Sequence, residues 1–285
     1  MKPAPFAYAK PRTLKEAIAL LGKHKDNAKL LAGGQSLIAT LNMRLSAPTL
    51  LIDLNGLKGL DRIARKGAKV EIGALARHVD VERSDVIAQY APLIARAMPH
   101  IGHPAIRNRG TFGGSIAFAD PAAELPACLL ALDGEIEITG PKGKRTVKAE
   151  TFFKGLFETA IGPRDVLTAI RVPAAAKDSR YGFSELARRH GDYAIVGLAA
   201  SARTTSKGLA DVRLAFFGVD ATPLRARKAE TALTGGTIDD KRLNAAVAAL
   251  DLDPSDDVQA TAAVKKHLAG VLLKRVARQL LEART

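Results

Sequence analysis

Apolar residues recur with two different periods along the chain, and the balance between the periods changes near residue 57. Before that point, apolar positions at helical spacing over 14–21 follow a capping box made by Thr13 and Glu16, which predicts a helix that ends at Gly22. A short apolar run at 28–32 then predicts a strand. The first part of the chain is expected to fold as helix, strand, helix, strand.

The second helix and strand of this first part follow a Gly-Gly pair. Ser36 is predicted to cap a helix that runs to about Arg44, and residues 49–54 are predicted to form the next strand. The preceding strand leads directly into Gly33 and Gly34. Such an arrangement directs free N–H groups and the positive end of a helix dipole at whatever binds over the turn. It predicts an anion site, although the Gly-x-Gly-x-x-Gly fingerprint is absent from the sequence.

Short strands dominate from residue 57 to about 175. Strands are predicted at 60–64, 69–73, 135–139, 144–148 and 166–172, with hairpin turns at 65–68 and 140–143. Helical segments are predicted near 79–84, 91–98 and 122–132. Many short strands with few long helices indicate an antiparallel α+β arrangement, not a doubly wound parallel sheet.

A small polar segment at 173–179 is the predicted linker to a second domain. Beyond it, three strands are predicted to form an antiparallel meander at 180–187, 194–204 and 210–219. Three helices are then predicted at about 225–233, 239–250 and 258–282. A sheet followed by helices is expected to form a compact C-terminal domain.

Composition supports two soluble domains but leaves the partner open. The 285 residues are 47% hydrophobic and 25% charged, which is ordinary for globular proteins. The net charge of +14 raises the question of nucleic acid, with 106–109 and 225–228 as basic segments. Because the bases are scattered and the aromatics do not alternate with them, we favour a solvated surface or a complement to an acidic partner subunit.

Cysteine usage and hydropathy exclude several classes of protein. Cys128 is the only cysteine, so no internal disulfide forms, and a cysteine-ligated iron–sulfur cluster cannot be held by this chain alone. The start of the chain lacks an apolar signal core, and no apolar run has the length of a membrane span. The sequence predicts a soluble cytoplasmic protein without a membrane span.

The most distinctive stretch is glycine-rich. Residues 101–115 bring together Gly102, Gly110, Gly113, Gly114, Arg107, Arg109, Thr111 and Ser115. Glycine lets backbone lie against a ligand, and successive N–H groups form concavities that hold anions. With Gly33-Gly34, this second Gly-Gly pair suggests two sides of one phosphate-bearing ligand. The alternative is that both pairs are ordinary loop glycines.

Candidates for other chemistry are few. His100 and His103 have metal-ligand spacing but no accompanying carboxylate or cysteine, so no metal site is expected. Asp120 and Glu124 suit hydrogen bonds to ribose or adenine, or equally a helix start favoured by the macrodipole. Tyr193 is expected either to pack in a turn or to cover a flat cofactor. No catalytic residue is predicted, and the reactive atoms are expected to belong to a cofactor.

The ordered motifs resemble the FAD-binding medium subunit of the molybdenum hydroxylases, the family of carbon monoxide dehydrogenase medium subunits and of the flavin portion of xanthine dehydrogenase. The motifs are Phe6-x-Tyr8-x-x-Pro11-x-Thr13-x-x-Glu16-Ala17, residues 32–37, Ile72-Gly-Ala74, residues 106–114, Leu167-x-x-Ile170-x-Val-Pro173 and Gly191-Asp-Tyr-Ala194. One Gly-Gly pair is weak evidence, whereas the ordered set along nearly the whole chain is specific.

The resemblance implies an α+β fold and a domain division. Residues 1–175 would form a two-subdomain FAD-binding domain of the vanillyl-alcohol-oxidase (PCMH) type, with subdomains at about 1–56 and 57–175. Residues 179–285 would form the C-terminal domain of the carbon monoxide dehydrogenase flavoprotein type, a three-stranded antiparallel sheet plus helices. FAD would lie between the two subdomains.

The resemblance also assigns residues to the cofactor. Two segments would hold the pyrophosphate from opposite sides, namely Ala32, Gly33, Gly34, Gln35, Ser36 and Leu37, and Thr111, Gly113, Gly114 and Ser115. Ile101 would contact FAD through its backbone, Asp120 and Glu124 would lie at the adenosine end, Leu167 near the flavin ring, and Tyr193 over one face of the isoalloxazine.

Three positions depart from the family pattern. Gln35 stands where His or another polar residue is frequent, which a backbone role tolerates. Ala76 replaces a common Thr and loses its side-chain contact. Glu124 replaces the usual Asp, so its carboxylate is shifted outward by one methylene.

By this resemblance the chain would be the electron-transfer subunit of a multi-subunit enzyme. Electrons would pass from a large molybdenum-cofactor subunit through iron–sulfur clusters of a small subunit to FAD, and then to an external acceptor such as a quinone or NAD. A heterotrimer or its dimer is the expected assembly. The alternatives are a basic nucleic-acid-binding module and a scaffold that binds no flavin.

Overall fold

A computed structural model describes residues 2–282. Its first part contains a parallel sheet of β1 (Ala7–Ala9), β2 (Ala28–Leu31) and β3 (Leu50–Asp53) in the order β1-β3-β2, with helices α1 (Leu14–His24) and α2 (Leu37–Asn42). The predicted helix, strand, helix, strand order is confirmed. The short strand β1 was not predicted, because its only support is the pairing with β3.

Two details of the first part differ from the prediction. The helix α1 continues past Gly22 to His24, and its C-cap is Lys25 with a positive φ of 49°. Glycine in a helix interior costs only about 1 kcal/mol, and burial of Ala17 and Leu21 on the inner face supports the extra turn. Ser36 occupies the N-cap position of α2, but its side chain makes no capping hydrogen bond.

The second part contains the strands β4 (Ile63–Lys66), β5 (Lys69–Gly73), β6 (Glu135–Gly140), β7 (Gly143–Lys148), β8 (Phe153–Gly155), β9 (Glu158–Thr159) and β10 (Val166–Pro173). An antiparallel sheet has the order β4-β5-β10-β6-β7, and β8 pairs separately with β9. Both predicted hairpins are confirmed, although the first strand begins at Ile63, later than predicted.

Short helices occupy the connections of the second part. They are α3 (His78–Glu82), α4 (Asp85–Tyr90), α5 (Pro92–Ala97), α6 (Pro104–Arg107), α7 (Phe112–Phe118), α8 (Glu124–Ala131) and α9 (Ala149–Phe152). Gly113 and Gly114 therefore lie in the first turn of α7, where a loop was expected. Every residue of α8 is buried, as is typical of a helix that is apolar all round and packed on several sides.

The C-terminal part begins with the predicted meander of β11 (Ser179–Leu186), β12 (Val196–Thr205) and β13 (Gly208–Phe217). A short strand β14 (Leu224–Arg225) pairs with β13, so within residues 2–282 the sheet has four strands where three were predicted. Helices α10 (Arg227–Leu233), α11 (Asp240–Ala248) and α12 (Ala262–Gln279) follow. The last helix starts later than position 258, because Thr261 caps it.

The cores of the second and C-terminal parts are joined through α8. One cluster of buried side chains unites Leu125 and Leu129 of this helix with Phe183, Ala199 and Phe217 of the C-terminal sheet. The opposite face of that sheet packs against the last three helices in a separate cluster. This packing brings the β11–β12 loop, which carries Tyr193, against the second part.

Candidate functional site

A cavity of about 900 Å³ runs between the first and second parts and reaches the β11–β12 loop. All of the predicted cofactor-binding residues line it: Ala32, Gly33, Gly34, Gln35, Ser36, Leu37, Ile101, Thr111, Gly113, Gly114, Ser115, Asp120, Glu124, Leu167 and Tyr193. The volume is at the upper end of the range for small-molecule sites, about 300–1,000 Å³. The fold therefore brings predicted cofactor-binding residues that are far apart in sequence to the same cavity.

The two glycine segments touch each other. A Cβ on Gly33 would lie 2.5 Å from the carbonyl oxygen of Arg109 and 2.7 Å from the Cα of Gly110, closer than any real side chain allows. Gly34 has a φ of +74°, which glycine adopts freely. Glycine is thus required at 33 for loop–loop contact and favoured at 34 by the turn.

The free backbone N–H groups of the two segments belong to the first one. Among the described residues, the N–H groups of residues 33–37 donate to no acceptor. By contrast, Phe112 N–H donates to Ala76 O, Gly113 N–H to Ala74 O, and Gly114 N–H to Thr111 Oγ1. The second segment therefore offers hydroxyl groups and a shaped wall, because the N–H groups of Gly113 and Gly114 are already hydrogen-bonded within the protein.

Packing within the protein explains the second Gly-Gly pair. A Cβ on Gly113 would lie 2.6 Å from the Cβ of Ala74, and one on Gly114 would lie 2.6 Å from Thr111 Oγ1. These glycines let α7 approach the end of β5 and let Thr111 cap the helix.

Two polar residues, Asn55 and Arg77, form hydrogen bonds to both glycine segments. This role was not predicted from the sequence. The Asn55 side chain donates to Ala32 O at 2.9 Å. Arg77 donates to the carbonyl oxygen of Arg109 and to Asn55 Oδ1. An Asn after a buried strand is a common turn residue, so nothing in its local sequence marks this role.

Arg107 also has a structural position. Its residue surface is 9% exposed, its Nε lies 2.8 Å from Glu82 Oε2, and its Nη1 donates to the carbonyl oxygens of Ile101 and Gly102 at 3.2 and 3.1 Å. The arginine thus fixes the segment on which Ile101 lines the cavity.

His78 lines the cavity beneath the second glycine segment. Its backbone N–H donates to Gly110 O at 3.0 Å, and its side chain is buried. Burial lowers the pKa of His78 to about 4, and the positive charge of Arg107 acts in the same direction. The ring is therefore neutral near pH 7.

Asp120, Glu124 and Tyr193 all line the cavity and interact electrostatically, and this part of the cavity wall is here called the ring end. Burial raises the pKa of Tyr193, and the charges of Asp120 and Glu124 add to the rise, which requires proximity. Burial likewise raises the pKa of Asp120. Glu124 and Tyr193 are therefore close enough to interact electrostatically, which favours placing the carboxylates nearer to a ring covered by Tyr193 than the adenosine end expected from the sequence.

The position of Tyr193 depends on a close backbone contact. Gly191 has a φ of +85°, and a Cβ there would lie 2.8 Å from the carbonyl oxygen of Gly102. The β11–β12 loop thus rests on the segment that carries Ile101. Tyr193 itself remains 58% exposed, which leaves a ring face free at the cavity.

Two family models match consecutive stretches of the chain. The model for the FAD binding domain in molybdopterin dehydrogenase matches residues 4–175, and the model for the CO dehydrogenase flavoprotein C-terminal domain matches residues 181–280. The chain belongs to the FAD-binding family of molybdopterin dehydrogenases. The predicted resemblance, the α+β fold and the FAD cofactor are confirmed.

Known relatives match this chain over nearly its full length. The carbon monoxide dehydrogenase medium chain of Hydrogenophaga pseudoflava is 36% identical and covers 96% of each chain. Subunit alpha of the 6-hydroxypseudooxynicotine dehydrogenase complex of Paenarthrobacter nicotinovorans is 37% identical, with 100% of this chain and 97% of the relative covered. A solved carbon monoxide dehydrogenase from Hydrogenophaga pseudoflava, which lacks the Mo-pyranopterin moiety, superimposes with a TM-score of 0.97 at 37% identity, covering 100% of this chain and 99% of the other.

The residues of this family member fit FAD. The row of free N–H groups at 33–37 matches what a pyrophosphate needs, and no carboxylate lies among residues 32–37. Tyr193 provides an aromatic face at the ring end. As an oxidoreductase subunit, the protein supplies binding and electrostatics while FAD supplies the redox chemistry.

The departures from the family pattern have structural explanations. Gln35 is held by its own turn, where its side chain donates to Gly33 O at 3.2 Å. Ala76 is fully buried and is not among the residues that line the cavity. Glu124 is 8% exposed and keeps its place on the cavity wall.

Metal and membrane sites are not found in the described part of the chain. No group of His, Cys, Asp and Glu within residues 2–282 has metal-binding geometry, and His100 pairs instead with Glu185. None of the helices in that range combines the length and apolar character that crossing a bilayer needs.

Proposed function

We propose that this protein is the FAD-binding electron-transfer subunit of a multi-subunit molybdenum hydroxylase. Electrons would reach FAD from iron–sulfur clusters on a small subunit, which receives them from a molybdenum cofactor on a large subunit, and would leave for a quinone or NAD. A heterotrimer or its dimer is the assembly we expect. The observation that supports this most is the cavity, whose lining includes both the free N–H groups of residues 33–37 and the aromatic ring of Tyr193.

The proposed site combines the residues predicted from sequence with a revised orientation. Residues 32–37 would hold the pyrophosphate by backbone N–H groups, with the hydroxyls of Thr111 and Ser115 on its other side. Leu167 and Tyr193 would flank the isoalloxazine, and Asp120 and Glu124 would lie beside it. The adenosine would extend toward Lys29 and Leu30, which also line the cavity.

Domain boundaries, location and division of labour belong to the same proposal. We assign residues 1–175 to FAD binding and 179–285 to the C-terminal domain, and place the protein in the cytoplasm. Cys128 is fully buried in α8, which supports the location of iron–sulfur clusters on another chain. Part of the net charge of +14 would face acidic partner subunits, and salt-dependent dissociation of the complex would test this.

Intramolecular ion pairs weigh against nucleic-acid binding. In the basic segment 225–228, Arg225 pairs with Glu230, Arg227 with Glu150, and Lys228 with Asp251. Arg107 of the other segment is buried against Glu82. Few of these positive charges remain free to bind nucleic-acid phosphates. Tight, salt-sensitive DNA binding by flavin-free protein would be the evidence for the nucleic-acid-binding alternative.

The absorbance spectrum of the purified chain tests the proposal directly. After incubation with FAD and gel filtration, we expect the bands of oxidised flavin at one FAD per chain. Folded protein that stays colourless would contradict the proposal and favour the flavin-free scaffold. The relatives act in complexes named for carbon monoxide and for 6-hydroxypseudooxynicotine, two chemically unlike substrates, so we leave the substrate to the partner subunit.

A further inference from the structure

A continuous chain of hydrogen bonds runs from the protein surface to both glycine segments. It begins at Tyr8 on the edge strand β1, a residue that is 56% exposed, and its first acceptor is Asp53 at the end of β3. From there it continues to Asn55 and then to Arg77. None of these four residues lines the cavity, so they can influence the position of a ligand only through the segments that they hold.

The register of the first sheet explains why Tyr8 and Asp53 meet. The strands β1 and β2 both pair with the central strand β3 in parallel, so the carboxyl ends of all three lie at one edge of the sheet. Tyr8 is opposite Leu51, two residues before Asp53, and Leu31 is directly opposite Asp53. The first glycine segment begins at the residue after Leu31. The sheet therefore places Asp53 between the tyrosine and the start of that segment.

Asp53 is a buried carboxylate with three hydrogen bonds. The residue is 7% exposed. Its Oδ2 accepts from the Tyr8 hydroxyl at 2.5 Å, and its Oδ1 accepts from the backbone N–H and the Nδ2 group of Asn55 at 2.9 and 2.6 Å. Burial disfavours the charged carboxyl, but these hydrogen bonds prevail and lower the pKa of Asp53. The side chain is therefore ionised near neutral pH, and both of its oxygens have donors.

Asn55 connects Asp53 to the glycine segments. The Nδ2 group that binds Asp53 also donates to Ala32 O at 2.9 Å, and the Oδ1 of the same amide accepts from Arg77 Nη2 at 2.5 Å. Arg77 donates in turn to the carbonyl oxygen of Arg109. Because both ends of the amide have partners, Asn55 is held in one orientation, and the two segments keep one relative position.

We propose that Tyr8 and Asp53 are positioning residues for FAD, which keep the N–H groups of residues 33–37 in place for the pyrophosphate. They act through the side chain of Asn55 and its hydrogen bond to Ala32 O. This inference rests on the proposed function. A site built from backbone donors needs such support, because a small displacement of the segment moves all of its N–H groups together. The exposed tyrosine of the Phe6-x-Tyr8 motif thereby has a role in cofactor binding.

The variant Tyr8→Phe tests the outer end of the network, because it removes one hydroxyl and keeps the ring. Asp53 Oδ2 then lacks its donor. We expect the dissociation constant for FAD, measured by titration calorimetry on the full chain, to rise about fivefold, the effect of one hydrogen bond. Tyr90→Phe is the matched control. Tyr90 lies on α4, where Arg65 Cζ is 4.3 Å from the centre of its ring, and it belongs to neither the network nor the cavity lining.

Phosphorus NMR of bound FAD separates positioning from a general loss of stability. At saturating FAD, we expect the pyrophosphate resonances to shift in Tyr8→Phe, because the N–H groups around the phosphates are displaced. They should stay at the wild-type positions in Tyr90→Phe. A variant that only loses stability keeps the wild-type resonances in its folded fraction, so weaker binding with unshifted resonances would contradict the positioning role.

A double variant tests whether the tyrosine acts through the carboxylate. We expect Asp53→Asn alone to weaken FAD binding about tenfold, because it removes the charge that orients Asn55. Tyr8→Phe added to Asp53→Asn should then change the dissociation constant little further, since the hydroxyl no longer has its ionised acceptor. Losses that multiply fully would show that the two residues act independently and would overturn the proposed path.

The outcomes separate this inference from the proposed function. Folded wild-type protein that binds no FAD would overturn both. Wild-type protein that binds FAD, with the affinity and the phosphorus resonances unchanged in Tyr8→Phe, would overturn the positioning role and leave FAD binding intact. If Asp53→Asn fails to fold, the comparison of Tyr8→Phe with Tyr90→Phe decides, since Tyr8 is exposed and its variant keeps the aromatic ring.

Discussion

The Cα of Gly110 lies 2.7 Å from the point that a Cβ on Gly33 would occupy. This contact joins the free N–H groups at 33–37 to the segment that carries Thr111 and Ser115. The proposed pyrophosphate site is therefore one continuous surface, and its continuity depends on the absence of a single methyl group.

Gly33→Ala should weaken FAD binding. The added methyl group meets backbone atoms that cannot rotate away, so the two segments must separate. We expect the dissociation constant to rise at least tenfold, about 1.4 kcal/mol, by titration calorimetry. Gly155→Ala is the control, because its nearest neighbour, Glu158 Oε2, would lie 3.4 Å from the new Cβ. Equal affinities of the two variants would contradict this role of Gly33.

Asn55 and Arg77 should act as one unit. Asn55 donates to Ala32 O, and Arg77 donates to both Arg109 O and Asn55. Truncation of either side chain therefore removes hydrogen bonds that hold a glycine segment in place. We expect Asn55→Ala and Arg77→Ala each to lower FAD affinity about tenfold, and the double variant to lose little more. Arg83→Ala, on the exposed end of α3, serves as control. Fully additive losses would show that the two residues act independently.

Tyr193→Ala should raise the fluorescence of bound FAD. An aromatic ring in contact with isoalloxazine quenches its emission, and alanine removes that ring. Tyr193→Phe keeps the ring and should leave the fluorescence close to that of the wild type. If the alanine variant retains FAD with unchanged fluorescence, the tyrosine does not cover the flavin.

Glu137 should contribute to acid stability. Burial of its carboxyl disfavours the charge, but hydrogen bonds from Arg171, Thr168 and Lys144 prevail. Together they lower the pKa of Glu137 to about 2. Because the folded-state pKa is below the unfolded value of about 4.3, this stabilisation is present above that pH and is lost as pH falls through about 2.

The Glu137→Gln variant measures this contribution. We expect the wild type to lose on the order of 2–3 kcal/mol of unfolding free energy through this group between pH 5 and pH 2, and the variant to lack that part of the slope. Chemical denaturation at each pH gives both curves. Asp61→Asn, at an exposed position, is the control, and identical slopes for wild type and Glu137→Gln would refute the prediction.

The sequence by itself determined the local elements. The capping pair Thr13–Glu16, the two hairpins of the second part and the C-terminal meander were all predicted, because capping, turn formation and strand alternation depend on residues close in the chain. The ordered motifs also sufficed for the family and the cofactor, since residues 32–37, Leu167 and Tyr193 within them line the cavity.

Only the tertiary structure decided what those residues do. Whether a backbone N–H is free depends on distant acceptors, which is why residues 33–37 remain available while Gly113 donates to Ala74. The burial of Arg107 and the electrostatic interaction of Tyr193 with Glu124 likewise follow from packing between segments remote in sequence. Composition and spacing specify local chemistry, whereas long-range packing decides which groups meet and which remain free for a ligand.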